Sequence, residues 1–264
     1  MQEMHFQVFD EGGREDGEER TDMDYSNSTG VKIMTPIARQ AGCHYQPFSQ
    51  KVLLEGVQEK VVQLGGAPVK VGRLQDGADG VCYGLAVAWL ETMQRKGGDF
   101  IAQVADLESS SLFYRAYVAF RHQDIYAAIS TSGKWQDGDV HRGDRSGADQ
   151  FFGTAAMTQN SRLVDAGKAR SFGLSRGGMD AFCVWLGAAV DKRYFMLSVP
   201  RHAMAAIGSR SGRYSVFDPN CGIVSALSPR TLAGCLHLYF SDPTIKSLYR
   251  GADEDWLTAT KFKT

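Results

Sequence analysis

Apolar residues take up helical spacing most clearly from Cys82 onward. Cys82, Leu85, Ala86, Trp89, Leu90 and Met93 fall at i, i+3, i+4, i+7, i+8 and i+11, the stripe of an amphipathic helix. Asp79 or Gly80 stands where its cap belongs, and Gly97 with Gly98 ends it. Weaker helical periodicity covers 52 to 64 before Gly65, Gly66 and Pro68 interrupt it. Further helices are expected at 107 to 121, 148 to 158 and 178 to 190, with a Gly- and Asp-rich loop at 133 to 149 that should be exposed. After Asp191 the period shortens: YFMLSVP, HAMAAIGS and, past the turn-like SRSGR, YSVFDP read as successive strands. Ser228 followed by Pro229 is an N-cap with proline at the first helical position, opening a helix through about Leu238. WLTATKF, from Trp256, reads as an edge strand.

The chain has 264 residues, 43% of them hydrophobic, enough for one catalytic domain with a sizeable core. Its formal net charge of −1 gives no reason to expect a nucleic-acid partner. The charge is uneven, however: residues 10 to 24 hold eight acids against Arg14 and Arg20, which leaves the remainder mildly basic. Residues 10 to 30 combine those acids with Gly and Ser and few apolar anchors, so 1–30 is expected to be a flexible acidic segment and 31–264 the folded domain. Five cysteines, an odd number with no paired spacing, argue against a disulfide framework, and no Cys/His cluster has zinc-like spacing. No metal or cofactor is expected. The start MQEMHFQVFDEGG lacks the basic and apolar regions of a Sec signal, and no run approaches the roughly 18 apolar residues of a membrane span.

The chemistry points to three residues. A cysteine attacks as its thiolate, which a helix N-terminus favours through its dipole and free N–H groups; Cys82 occupies that place. The thiolate also needs a histidine as partner and proton donor, and a third group to orient the imidazole. His202 opens one expected strand and Asp218 ends the returning one. With the turn near 210 to 212, Asp218 falls opposite about residue 204, diagonal to 202 on the same face and within side-chain reach. Taken singly, each residue has a plainer reading, as core cysteine, strand histidine or turn aspartate; their conjunction carries the assignment. Cys183 and Cys235 fit apolar helical patterns, Cys221 is an incidental neighbour, and His141 in the loop is the other histidine that could touch a substrate.

GVCYGLAVAWL, RHAMAAI and YSVFDPNCG are similar to the three signature regions of the YopT/AvrPphB family of bacterial type III effector cysteine proteases. The resemblance spans about 80 to 222, and Cys82, His202 and Asp218 match the family's catalytic positions. It implies an α+β, papain-like fold with a central antiparallel sheet flanked by helices and the nucleophile at a helix N-terminus. It also implies a monomeric thiol protease, delivered into a host cell without a Sec signal, that cleaves a host protein there. Association with a membrane would come from lipidation or from the substrate.

Two features depart from the family pattern. The Asn of close relatives ahead of the nucleophile is missing, and Gln75 is the best candidate for the oxyanion side chain, since Asp76 and Asp79 would repel an oxyanion. Relatives cut themselves to expose a Gly-Cys end for lipidation. Gly42-Cys43 could be that site, but Gln40-Ala41 and Gln46 do not fit the cleavage and acylation patterns, and a plain loop is the competing reading. The same triad also serves deamidation, transglutamination and acyl transfer, and a catalytically silent binding module is a further alternative.

Overall fold

The computed structural model describes residues 23–63, 82–95, 99–105, 164–188, 192–199, 202–208, 212–249 and 255–263. Within these, the chain runs α1 (Thr29–Ala41), β1 (His44–Pro47), α2 (Gln50–Gln63), α3 (Cys82–Gln94), α4 (Phe100–Ala105), β2 (Val164–Gly173) and α5 (Arg176–Leu186). It continues through β3 (Arg193–Val199), β4 (His202–Gly208), β5 (Tyr214–Asp218), β6 (Gly222–Ala226), α6 (Pro229–Ser241), α7 (Pro243–Tyr249) and β7 (Trp256–Lys263). The expected helices at 107 to 121 and 148 to 158, the loop at 133 to 149, Gln75 and His141 lie outside the described residues.

The strands form one sheet in the order β1-β6-β5-β4-β3-β7-β2, antiparallel at every pairing. Side-chain alternation sends β4 to two cores. Ala203, Ala205 and Ile207 face α3 with Leu85, Trp89 and Phe217, while Met204 and Ala206 face α5 and α6 with Phe182, Leu236 and Tyr239. Alanine on β4 meeting Ala86 and Ala88 in the same cluster leaves little bulk between helix and sheet. The α+β arrangement expected from the sequence, a central antiparallel sheet flanked by helices with Cys82 at a helix N-terminus, is therefore present.

Three expectations need adjustment. WLTATKF is no edge strand: β7 is inserted between β3 and β2, and Leu257, Thr258 and Ala259 are buried. Residues 23 to 30, assigned to the acidic segment, contribute to the fold. Tyr25 packs 5.3 Å from Phe48 and Ser28 caps α1 by accepting from Val31 N–H. The helix opened by Ser228 and Pro229 runs on to Ser241, with α7 directly behind it.

Candidate functional site

The site is assembled where the ends of α3, β4 and β5 meet. Cys82 is the first residue of α3, the helix end whose backbone N–H groups have no partner within the helix. Trp89, two turns on, packs 5.6 Å from Phe217 of β5 and fixes the axis of α3 against the sheet. His202 is the first residue of β4 and Asp218 the last of β5. The ladder pairs Ala205 with Phe217 and Ala206 with Val216, and carried one step further it sets Asp218 opposite Met204, as the sequence implied.

His202 Nε2–H donates to Asp218 Oδ1 at 2.8 Å, with both side chains almost fully buried. Burial opposes charge on the ring, yet the Asp218 carboxylate, its hydrogen bond and the neighbouring Cys82 sulfur raise the imidazole to about 10. Burial likewise opposes the carboxylate, and the His202 charge and hydrogen bond, with donors from Asn220 and Tyr239, still hold Asp218 below the ordinary range. Because Asp218 occupies Nε2, the ring nitrogen left for Cys82, which also hydrogen-bonds to this ring, is Nδ1. The three residues singled out from the sequence are thus brought together.

Four residues that sequence reasoning did not single out complete the surroundings of Asp218. Tyr239 Oη donates to Oδ2 at 2.9 Å, and Tyr249 Oη reaches Oδ1 at 3.2 Å and Oδ2 at 3.0 Å. Asn220 donates twice, from its backbone N–H to Asp218 Oδ1 at 2.8 Å and from Nδ2 to Tyr249 Oη at 2.8 Å. Gln50 Nε2 in turn donates to Asn220 Oδ1. Burial and the Asp218 charge push both phenols well above their ordinary range, so they stay protonated donors. The available signals were modest. Asn220 lies inside the FDPN run, and a tyrosine in an apolar helical stripe, as Tyr239 is, needs a partner for its hydroxyl.

The turn after Asp218 is braced from the N-terminal segment. Gln50 N–H donates to Pro219 O at 2.7 Å, Phe48 N–H donates to Cys221 O at 3.1 Å, and Tyr45 Oη donates to the same carbonyl. Gly30 of α1 sits so close that a Cβ there would lie 2.3 Å from Asn220 O. Gly222, which ends the turn, has φ +121, a conformation that L side chains rarely adopt; a Cβ would also lie 2.1 Å from Gln46 O.

Cys82 is itself buried, and what sets it apart from the remaining thiols is its hydrogen bond to the His202 ring. Cys183, Cys221 and Cys235 are buried. Burial raises Cys183 and, with the Asp218 charge, Cys221; the hydrogen bond Cys235 donates to Cys43, together with burial, raises Cys235. Cys43 is half-buried and is lowered by its hydrogen bond with Cys235. No group of His, Cys, Asp and Glu among the described residues could hold a metal ion. No described helix is long and apolar enough to cross a membrane.

A family model described as Yersinia/Haemophilus virulence surface antigen, Peptidase C58, matches residues 39–234. Among solved structures the chain is similar to the Pseudomonas avirulence protein AvrPphB, at 15% identity and a TM-score of 0.44, over 70% of this chain and 92% of that one. It is also similar to PatoxP, a cysteine protease-like domain of the Photorhabdus asymbiotica toxin PaTox. That match has 11% identity and a TM-score of 0.42, over 88% of this chain and 57% of that one. Comparison with curated proteins gives no match.

Proposed function

Because the chain belongs to the peptidase family described as Yersinia/Haemophilus virulence surface antigen, we propose that it is a cysteine endopeptidase acting on a host protein, with Cys82 as nucleophile, His202 as acid and base, and Asp218 as orienting group. The observation that carries this reading is the buried 2.8 Å hydrogen bond from His202 to Asp218, made by a ring whose other neighbour is the helix-terminal Cys82.

The proposed cycle uses these groups in order. The Cys82 thiolate attacks the scissile carbonyl carbon while the imidazolium stands at Nδ1. The oxyanion is met by the Cys82 N–H and by the Gln75 side chain. His202 passes its proton to the leaving amine as the C–N bond breaks, leaving an acyl-enzyme and a neutral ring. That ring then takes a proton from water as the water attacks the thioester, and the C–S bond breaks to release the carboxyl product and restore the Cys82 thiolate beside the His202 imidazolium. Asp218 keeps the ring in one tautomer and offsets its charge. Delivery into a host cell without a Sec signal and action as a monomer belong to the same reading.

The test is to incubate the wild type and Cys82→Ala with host-cell lysate and compare the products. A substrate cut into two fragments by the wild type alone is expected. A mass gain of about one dalton on one residue, or an added acyl chain, would instead assign the triad to deamidation or acyl transfer, and no change would leave a binding module. On an identified substrate, His202→Ala should abolish turnover and Asp218→Asn should retain a trace. Gln75→Ala should lower kcat by roughly 10²-fold with little change in KM.

A further inference from the structure

We propose that Tyr249 is a positioning residue for His202, its ring setting the plane of the imidazole and its hydroxyl setting the carboxylate that the imidazole points to. The proposal rests on the reading of Cys82, His202 and Asp218 as a catalytic triad. A single hydrogen bond from Nε2 to Asp218 fixes one point of the ring and leaves it free to swing about that contact, which would move Nδ1 away from the sulfur. The Tyr249 ring removes that freedom. It lies parallel to the imidazole, with centroids 4.4 Å apart and planes inclined by 3°, while its Oη reaches both oxygens of Asp218 and accepts from Asn220. One side chain therefore holds the histidine by its face and the aspartate by its oxygens, fixing the two relative to each other. A cation over an aromatic face is also stabilised when buried, and Tyr249 is buried. Tyr239 offers a contrast, since it donates to Asp218 and no stacking with His202 accompanies that bond.

The charged and titratable groups around His202 and the Asp218 carboxylate it points to come from each packed element: Cys82 from α3, Asp218 from β5, Cys221 from the turn, Tyr239 from α6 and Tyr249 from α7. The experiment needs no substrate. Iodoacetamide alkylation of Cys82 is followed between pH 5 and 10 by peptide mass mapping in wild type, Tyr249→Phe, Tyr249→Leu and Tyr239→Phe. His202 ring-proton titration by NMR accompanies it, and folding is checked by circular dichroism. Tyr249→Phe, which keeps the stack and loses the hydroxyl, should slow Cys82 labelling about threefold, as Tyr239→Phe does by losing the other phenol on Asp218, whereas Tyr249→Leu, which loses both ring and hydroxyl, should label Cys82 about tenfold more slowly near pH 6 and titrate His202 at lower pH. Equal behaviour of Leu and Phe at position 249, or a loss with Phe as large as with Leu, would overturn the role of the ring. If the leucine variant does not fold, Tyr249→Met takes its place in the comparison. Indiscriminate labelling in the wild type would instead defeat the triad reading beneath it, so the two failures are distinguishable.

Discussion

Iodoacetamide should alkylate Cys82 ahead of every other cysteine, with Cys43 next and Cys183, Cys221 and Cys235 far behind. Cys82 is buried like these last three, so its lead rests on its His202 partner against thiols raised by their neighbours and by burial; Cys43 is half-buried and its thiol is lowered by Cys235, which makes it the internal competitor to watch by peptide mapping. Equal labelling of Cys43 and Cys82 would remove the distinction on which the site depends. The His202 and Asp218 pair also has a signature in stability. His202 rises from an ordinary value of 6.5 to about 10, so the stabilisation it contributes is complete below 6.5 and fades as pH climbs through 10. The difference in urea midpoint between wild type and His202→Gln should hold steady below pH 6.5 and shrink from there to pH 10. A difference that widens with pH would contradict the sign. All three residues were legible in the sequence because each has a strong local marker: a glycine-flanked cysteine at a helix start, and a strand pair whose turn fixes the register. The phenols on Asp218 were not, since Tyr239 and Tyr249 lie 21 and 31 positions beyond it in helices whose docking no local pattern specifies.

Helix α6 is held by its cap. The Ser228 hydroxyl accepts from Thr231 N–H at 3.1 Å, and Pro229 occupies the first turn. Ser228→Ala should cost about 1 kcal/mol, read as a lower urea midpoint. Selective alkylation of Cys82 should persist under native conditions, because Tyr239 projects from the other end of the helix. An unchanged midpoint would mean that the cap contributes nothing. This cap was readable as Ser-Pro, and so were α2, α3, α5 and the strands β3, β4 and β5, where period and punctuation agree, whereas β6 was not. Helix α1 was not, although Val31, Met34 and Ala38 form its buried stripe. Pro36 falls inside it, and Ser26 to Gly30 reads as loop composition when it is partly cap and partly first turn. Strand β7 was found but misplaced. Its Thr and Lys residues suggest a solvated edge, and lateral order in a sheet is set by which surfaces fit, not by the strand's own alternation.

At the scale of the molecule, Gly42 joins two packed elements. It caps α1 in a left-handed conformation with φ 71, Cys43 N–H donates back to Ala38 O at 2.9 Å, and β1 begins at His44. Cutting ahead of Gly42 would separate Met34 and Ala38 from the core they share with Leu232 and Cys235. Intact mass should therefore be full length in both wild type and Cys82→Ala, and a chain begun at Gly42 should melt at lower temperature or not fold. Loss of residues 1 to 41 from the wild type alone would reverse this conclusion and revive self-processing. The pairing of β1 with β6 has a temporal meaning as well. His44 meets Ser225 and Pro47 meets Gly222 across most of the chain's length, whereas β3 to β6 join through neighbours. Contacts so distant in sequence form late, because the loop between them must close before they gain anything. The turn carrying Asp218 thus waits for Tyr45, Phe48 and Gln50 to arrive. On refolding, the enhanced reactivity of Cys82 should lag behind the recovery of helix and strand signal, so that the chain acquires its shape before it acquires its edge.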